Sequence, residues 1–116
     1  MNYKRLKSID GSGTIMRYFD LADGQEAKTN VFYEIVGGKA QEVMEGSTPT
    51  GKIVGFSHGG DKLVERKILL DVNPAIVYIA SEVDSLPNVG DLIDGFKKVL
   101  AVDGEAMTYE FTLNLP

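Results

Sequence analysis

Two adjacent glycines, Gly37 and Gly38, join two short β-prone runs at residues 31–36 (VFYEIV) and 39–44 (KAQEVM). A hairpin turn of two residues requires backbone conformations with positive φ, which glycine adopts at little steric cost. The glycine pair therefore predicts a β-hairpin.

The rest of the chain repeats this pattern of short apolar or alternating runs between turn-forming residues. Asn73-Pro74 separates two of the runs, because proline cannot donate a hydrogen bond to a strand neighbour. Residues 63–70 and 92–100 also fit a helix, so these two runs stay ambiguous. We predict strands at residues 14–20, 31–36, 39–44, 52–57, 63–72, 75–82, 96–102 and 108–113, with a short one at 92–93. The pattern indicates an all-β fold, a small barrel or sandwich of about seven or eight short antiparallel strands.

A chain of 116 residues corresponds to one domain. We predict an N-terminal arm over residues 1–13 and a single β domain over residues 14–116. The arm contains the one basic cluster, formed by Lys4, Arg5 and Lys7, in a chain whose net charge is −5. This cluster fits either a solvated tail or an arm that reaches an acidic partner. The negative net charge argues against a general nucleic-acid binder.

The composition excludes several kinds of site. The chain has no cysteine, so it has no disulfide, no thiolate metal site and no thiol nucleophile. The first residues, MNYKRLKSIDGSG, lack the apolar stretch of a signal peptide. No run approaches the roughly 18 apolar residues of a membrane span. We expect a soluble protein that is made in the cytoplasm and has no membrane partner.

The stretch from Gly55 to Gly59 reads G-x-S-x-G, the nucleophile motif of serine hydrolases, and includes the only histidine, His58. In those enzymes the histidine comes later in the chain. Here it directly follows Ser57, and adjacent residues of a strand point to opposite faces. We therefore interpret the motif as a strand that runs into a turn at Gly59 and Gly60, and we predict no catalytic residues.

A second motif overlaps the first. Residues 46–52 (GSTPTGK) match the first seven positions of a phosphate-binding loop, but Ile53 stands where a serine or threonine should bind magnesium. A strand-like run follows, whereas a helix N-terminus should receive the phosphates. We predict no nucleotide site and no cofactor.

Carboxylates are frequent in the last third of the chain. A calcium site requires several such oxygen ligands, but aspartate is also common in turns, where its side chain accepts hydrogen bonds from nearby backbone amides. The turn interpretation is the one we favour, and we predict no metal site. The residues concerned are Asp84, Asp91, Asp94, Asp103 and Glu105.

The five tyrosines and five phenylalanines are spread one or two per strand, which is typical of a β core. The alternative is a stacking surface on one face of a sheet. Tyr33, Tyr78 and Tyr109 would form such a row in a carbohydrate-binding module.

The order of the short motifs resembles that of the small β-barrel decoration (cement) proteins of tailed-phage capsids. The resemblance covers residues 14–113 and depends on a Gly-Gly-Lys hairpin, a P-x-G-x-x-x-G strand, a Val-x-Pro run and a V-G-D turn. Gly51 and Gly90 are the turn-forming glycines of the second and fourth motifs. The matching residues are Gly37, Gly38, Lys39, Pro49, Gly51, Gly55, Val72, Pro74, Val89, Gly90 and Asp91.

This resemblance implies a non-enzymatic structural protein on the outside of a virion. The implied partners are the major capsid protein and further copies of the chain, as a homotrimer at three-fold positions, with no direct contact to nucleic acid. Lys4, Arg5 and Lys7 are the expected capsid contacts, and we expect removal of residues 1–10 to weaken docking without disturbing the fold. The alternative function is a small β-sandwich binding module, either carbohydrate-binding or an accessory domain of a phage tail or head–tail junction.

Overall fold

The computed structural model describes residues 1–57 and 66–115. Within these residues it confirms the all-β prediction, with ten strands in two sheets, one of which is a closed barrel. The strands are β1 (Asn2–Ser8), β2 (Met16–Leu21), β3 (Phe32–Val36), β4 (Lys39–Glu42), β5 (Ile53–Ser57), β6 (Lys67–Asp71), β7 (Ile76–Ser81), β8 (Leu92–Ile93), β9 (Lys97–Asp103) and β10 (Thr108–Leu113).

The strand predictions agree with most of these bounds. β8 and β10 match at both ends, and the described parts of the two ambiguous runs contain strands and turns but no helix. The start of the run at residues 63–72 and the predicted turn at Gly59 and Gly60 lie outside the described residues. The sequence did not predict β1.

The chain divides into two compact units. The sheet unit contains Met1–Gly13 and Pro74–Pro116, and the barrel unit contains Thr14–Asn73. The first segment of the sheet unit ends at Gly13. However, residues 1–13 do not form a free arm, because β1 pairs antiparallel with β7. Removal of residues 1–10 would delete this strand, so on this structure we expect the deletion to disturb the sheet.

The sheet unit contains one antiparallel sheet in the order β1-β7-β10-β9-β8. One of its faces carries an aromatic core. The ring of Phe111 stacks on Tyr78 at a centroid distance of 5.5 Å and meets the edge of Tyr3 at 5.6 Å. Tyr109 lies on the same face, 5.8 Å from Phe111. We call this the aromatic face.

The barrel unit is a closed ring of strands in the order β2-β4-β3-β5-β6, in which β2 also pairs with β6. The pair β2–β4 is parallel, whereas we had predicted antiparallel strands throughout. A parallel neighbour cannot come from a tight hairpin, so the local sequence gives no signal for it. The barrel interior is filled by Leu21, Tyr33, Ala40, Ile68 and Leu70.

Three of the predicted turn-forming glycines have a positive φ. Gly37 and Gly38 have φ values of 58° and 78°, which confirms the hairpin between β3 and β4. Gly90 has a φ of 93°. These φ values lie in the left-handed region of backbone conformation, which residues other than glycine rarely adopt.

Gly51, which was predicted as a turn-forming residue, lies in the bend that precedes β5. Its φ is not positive; instead, a Cβ atom there would lie 2.5 Å from the carbonyl oxygen of Ile35. Gly55 has the same requirement within β5, because a Cβ atom would lie 2.7 Å from Cβ of Leu70. Both glycines of the P-x-G-x-x-x-G motif therefore allow close approach of neighbouring strands.

Candidate docking surface

Three exposed lysines share one face of the five-stranded sheet. Residues that pair across neighbouring strands point to the same face. Lys7 pairs with Val77, Val77 with Thr112, and Thr112 with Lys98. Lys4 lies on the same face, opposite Ile79. We call this the lysine face, and it lies on the side of the sheet away from the aromatic face.

An irregularity in β1 brings Lys4 and Lys7 to the same face. Residues three apart in a regular strand point to opposite faces. The register of β1 shifts between Arg5 and Lys7, where Leu6 is the extra residue of a β-bulge. As a result, the two lysines lie opposite Ile79 and Val77, which are two residues apart in β7.

The structure separates the predicted basic cluster. Lys4 and Lys7 are exposed on the lysine face, whereas Arg5 pairs with Tyr78 and is half-buried on the aromatic face. Lys98 joins the two lysines although it lies more than ninety residues away in sequence. Sequence reasoning missed Lys98, because its position on this face depends on the pairing of four strands.

The centre of the lysine face is less accessible than its margins. Val77 is buried, and Thr112 beside it is half-buried. With strands spaced about 4.8 Å apart, Lys7 and Lys98 lie roughly 14 Å from each other. The three lysines therefore lie on β1 and β9, and the half-buried carboxylate of Glu110 on β10, opposite Ile79, lies between them on the same face.

A buried lysine holds β1 from the opposite face. Lys97 is 3% exposed, and its Nζ donates a hydrogen bond to Oη of Tyr3 at 3.0 Å. The same Nζ forms an ion pair with Asp94 at 3.2 Å and lies 5.1 Å from the Tyr3 ring centroid. Lys97 and Lys98 are adjacent, so one is enclosed by aromatic rings while the other faces solvent.

The serine of the G-x-S-x-G motif is the last residue of β5 and is fully buried. Its hydroxyl donates to the carbonyl of Val31 and accepts from the amide of Val31, both at 3.1 Å. This pair of bonds fixes the chain that enters β3. His58 lies outside the described residues.

The loop that resembles a phosphate-binding loop is held by a carboxylate of the protein itself. Oε1 of the buried Glu34 accepts hydrogen bonds from the amides of Thr50 and Gly51, both at 3.0 Å, and from the Thr50 hydroxyl at 3.1 Å. Backbone amides of this kind are the groups that hold phosphate in nucleotide-binding loops. Here Glu34 occupies them, which supports the interpretation that residues 46–52 are a structural loop.

Sequence reasoning did not identify the buried carboxylate of Asp71. It is 1% exposed, and its Oδ1 accepts hydrogen bonds from the amides of Ile15 and Asn73, both at 3.0 Å. It therefore links the chain before β2 to the chain after β6, at the seam where the two strands pair. The motif search had no reason to select a single aspartate at the end of a strand.

Two of the C-terminal carboxylates hold turns, as the turn interpretation predicted. Oδ2 of Asp91 accepts from the amide of Asn88 at 2.9 Å. Oδ1 of Asp103 accepts from the amides of Glu105 at 3.0 Å and Ala106 at 3.1 Å. Within residues 1–57 and 66–115, no three acidic or histidine side chains form a group that would hold a metal ion.

The predicted tyrosine row of a carbohydrate-binding module does not exist as a surface. Tyr33, Tyr78 and Tyr109 are 0%, 1% and 2% exposed. Tyr33 lies inside the barrel, and the other two belong to the aromatic face. The core interpretation of these residues is confirmed.

Comparisons of the chain with protein-family models, with curated proteins and with solved structures found no match. The part of the chain that the structure describes contains no helix of the length and apolar character needed to span a membrane.

Proposed function

We propose that this protein is a non-enzymatic structural protein that binds the outer surface of a viral capsid and stabilises it. In this proposal the partner is the major capsid protein, and the protein acts as a homotrimer at three-fold positions of the virion. The resemblance to decoration proteins in the turn and strand motifs of residues 14–113 is the starting point.

The lysine face is the observation that carries the proposal. Lys4, Lys7 and Lys98 are exposed on one side of a sheet in a chain that is acidic overall, with a net charge of −5. Such a distribution orients a protein on an acidic surface, because complementary charge guides docking and opposes wrong orientations. Many copies with modest contacts would then hold a shell together by multivalency.

The internal bonding of the barrel unit also fits a structural role. Three buried polar side chains of the kinds that enzymes use in catalysis accept hydrogen bonds from backbone amides of the protein itself. They are Ser57, Glu34 and Asp71. Buried side chains that hold backbone amides in this way rigidify a fold. A decoration protein needs rigidity and a repeated docking surface, and it needs no active site.

Co-sedimentation with phage heads tests the proposal. Purified protein is mixed with DNA-filled heads and with unexpanded shells from lysates of the strain from which the gene comes. We expect saturable binding to the filled heads, weaker binding to the shells, and a copy number divisible by three. A protein that stays in the supernatant with both particles overturns the proposal and favours a small binding module.

Charge-reversal variants connect this result to the lysine face. The variant K4E/K7E/K98E should sediment less with filled heads than the wild type. The variant R17E/K39E/K52E is the control, because it makes the same change in net charge at exposed positions of the barrel unit. Equal losses in both variants would indicate a general charge effect and would remove the lysine face from the proposal.

A further inference from the structure

The ion pair between Lys97 and Asp94 places an amine beside a carboxyl group across a tight turn. Asp94 and Gly95 have φ values of 51° and 75°. The amide of Phe96 donates to the carbonyl of Ile93 at 3.1 Å, which closes the turn before β9 begins at Lys97. Nζ of Lys97 lies 3.2 Å from Oδ2 of Asp94. The nitrogen is therefore held next to the carboxyl carbon, which is the arrangement from which an amine attacks.

Aromatic rings enclose this amine. The side chain of Lys97 is 4% exposed and that of Asp94 is 21% exposed. Nζ lies 5.1 Å from the ring centroid of Tyr3 and 5.3 Å from that of Phe96. A buried ion pair loses much of the solvation that stabilises its charges, so transfer of a proton from ammonium to carboxylate costs less than in water. The neutral amine that results is a nucleophile, and the protonated carboxyl group is the form that it attacks.

A second lysine–aspartate pair, on the barrel unit, shows that proximity alone does not distinguish the site. Lys67 and Asp20 approach to 2.9 Å, which is closer than Lys97 and Asp94, but their side chains are 40% and 58% exposed. Water solvates both charges of such a pair and keeps the amine protonated. The difference between the two pairs is burial among aromatic rings.

We propose that Lys97 and Asp94 form an intramolecular amide bond in the folded protein. The neutral Nζ attacks Cγ of the protonated carboxyl group, and a C–N bond forms. The hydroxyl of Tyr3, 3.0 Å from Nζ, accepts a proton from the nitrogen and passes its own proton to the hydroxyl group that leaves Cγ. The C–O bond breaks and one water molecule is released. The reaction is a condensation, so it consumes no oxidant, reductant or cofactor.

The product fits the site with fewer unmet requirements than the ion pair. An ammonium group has three N–H donors, and the oxygens that contact Nζ belong to Tyr3 and Asp94. The amide nitrogen retains one N–H, for which the Tyr3 hydroxyl is the acceptor. A neutral amide also costs less to bury than two charges. The bond would close the turn between β8 and β9 covalently.

Mass spectrometry of the full-length protein tests the proposal. During incubation the folded protein should acquire a species that is lighter than the sequence mass by one water molecule. Trypsin should not cleave after the acylated Lys97, so the modified peptide should end at Lys98. This peptide should give no backbone fragments between residues 94 and 97, because the new bond closes a ring there. Protein incubated in guanidinium chloride should not form this cross-link, since unfolding separates the two groups.

A succinimide at Asp94 and Gly95 would have the same mass, because the Gly95 amide attacks the same carboxyl carbon with loss of water. Lys97→Met separates the two products, since it removes the amine and leaves the Asp-Gly sequence in place. The light peptide should be absent from this variant. In the wild type it should persist in mildly alkaline denaturant, where a succinimide hydrolyses and an amide between side chains does not.

Two further variants test the chemistry of the step. Asp94→Asn should give the same cross-linked peptide with loss of one ammonia molecule, because the side-chain amide nitrogen leaves in place of the hydroxyl. This positive result does not depend on whether Lys97→Met folds. Tyr3→Phe should form the bond about a hundredfold more slowly, because the group that carries the proton is absent. Thermal unfolding of each variant verifies that the sheet is intact.

Three results would overturn this inference. The first is a wild-type protein that keeps its full sequence mass after a month at room temperature. The second is a light peptide that Lys97→Met also forms. The third is a cross-link between Lys67 and Asp20 that forms as fast as the one at Lys97, which would show that burial does not direct the reaction. Equal rates in the wild type and Tyr3→Phe would contradict the proton transfer through Tyr3.

Discussion

The ammonium group of Lys97 donates a 3.0 Å hydrogen bond to the hydroxyl of Tyr3, joining β9 to β1 although β10 and β7 lie between them in the sheet. The side chain of Lys97 is 4% exposed and its charge is balanced by Asp94. β1, which carries the exposed Lys4 and Lys7, is therefore held in the sheet on its other face by the hydrogen bond from Lys97.

Removal of the Tyr3 hydroxyl should weaken the sheet. In Tyr3→Phe the ring contact with Phe111 remains, but buried Lys97 loses one hydrogen-bond acceptor. Hydrogen bonds to charged groups contribute about 1.5–3 kcal/mol, so we expect a loss of about 1–2 kcal/mol in the free energy of unfolding, measured in urea. Lys98→Ala, which changes the exposed neighbour, should stay within about 0.5 kcal/mol of the wild type. A Tyr3→Phe protein as stable as the wild type would contradict this account.

Gly55 should be intolerant of even one added methyl group. The new Cβ of Gly55→Ala would lie 2.7 Å from Cβ of Leu70, inside the barrel. Overpacking of this kind costs about 1–3 kcal/mol, which denaturant unfolding would measure. Gly104→Ala is the matched control, because a Cβ atom there meets nothing within 4 Å and the backbone φ is not positive. Equal stabilities of the two variants would show that β5 and β6 move apart at little cost.

The success of the sequence predictions depended on how local each feature is. The turn at Gly37 and Gly38 was predicted because two residues determine it. The role of Gly55 was not, because it depends on Leu70 in another strand. β1 was predicted to be an arm because its two lysines and its arginine obscure the alternation of polar and apolar residues that indicates a strand. In the structure, Tyr3 and Arg5 share one face of β1.

The distinction between local and long-range features also explains which residues of the lysine face were predicted from the sequence. Lys4 and Lys7 were selected because they cluster in sequence, whereas Lys98 reaches their face only through the pairing of β9, β10 and β7. Single-sequence patterns show that a strand has two faces, but they do not show which strands lie beside it. Arg5 was assigned to the surface for this reason, although its partner Tyr78 belongs to the aromatic face.

The carboxylate of Glu34 should control the loop at residues 46–52. In Glu34→Ala the three hydrogen bonds from Thr50 and Gly51 to the Glu34 side chain are lost, and a typical hydrogen bond contributes about 0.5–1.5 kcal/mol to stability. We expect a matching loss of stability and faster hydrogen exchange at these two amides. Glu34→Gln retains an amide oxygen as acceptor and should lose less.

The control for this prediction is Glu45→Ala, which removes an exposed carboxylate from the same loop region. Its stability and its exchange rates at Thr50 and Gly51 should equal those of the wild type. If the two amides exchange equally slowly in Glu34→Ala, a different group holds the loop and the interpretation of Glu34 is wrong.

Tyr33 should make the barrel unit sensitive to alkaline pH. Its hydroxyl donates to the carbonyl of Glu26 at 2.7 Å and accepts from the amide of Lys28 at 2.9 Å. Burial raises the pKa of Tyr33 above its ordinary value, because the charged phenolate is poorly solvated inside the barrel. The unfolded chain therefore loses this proton first, at a pH of about 10. The stability that depends on neutral Tyr33 is fully present below that pH and is lost as the pH rises through the pKa of the folded state.

Comparison of the wild type with Tyr33→Phe isolates this effect, since all other ionisable groups are shared. At neutral pH the variant should be less stable by about 1 kcal/mol, because the two hydrogen bonds of the hydroxyl are absent. The difference should shrink as the pH rises above about 10, as measured by thermal unfolding at a series of pH values. Tyr18→Phe, which changes a tyrosine that is 54% exposed, controls for the removal of a phenol at the surface. A stability difference between wild type and Tyr33→Phe that stays constant across this range would refute a coupling between Tyr33 ionisation and barrel stability.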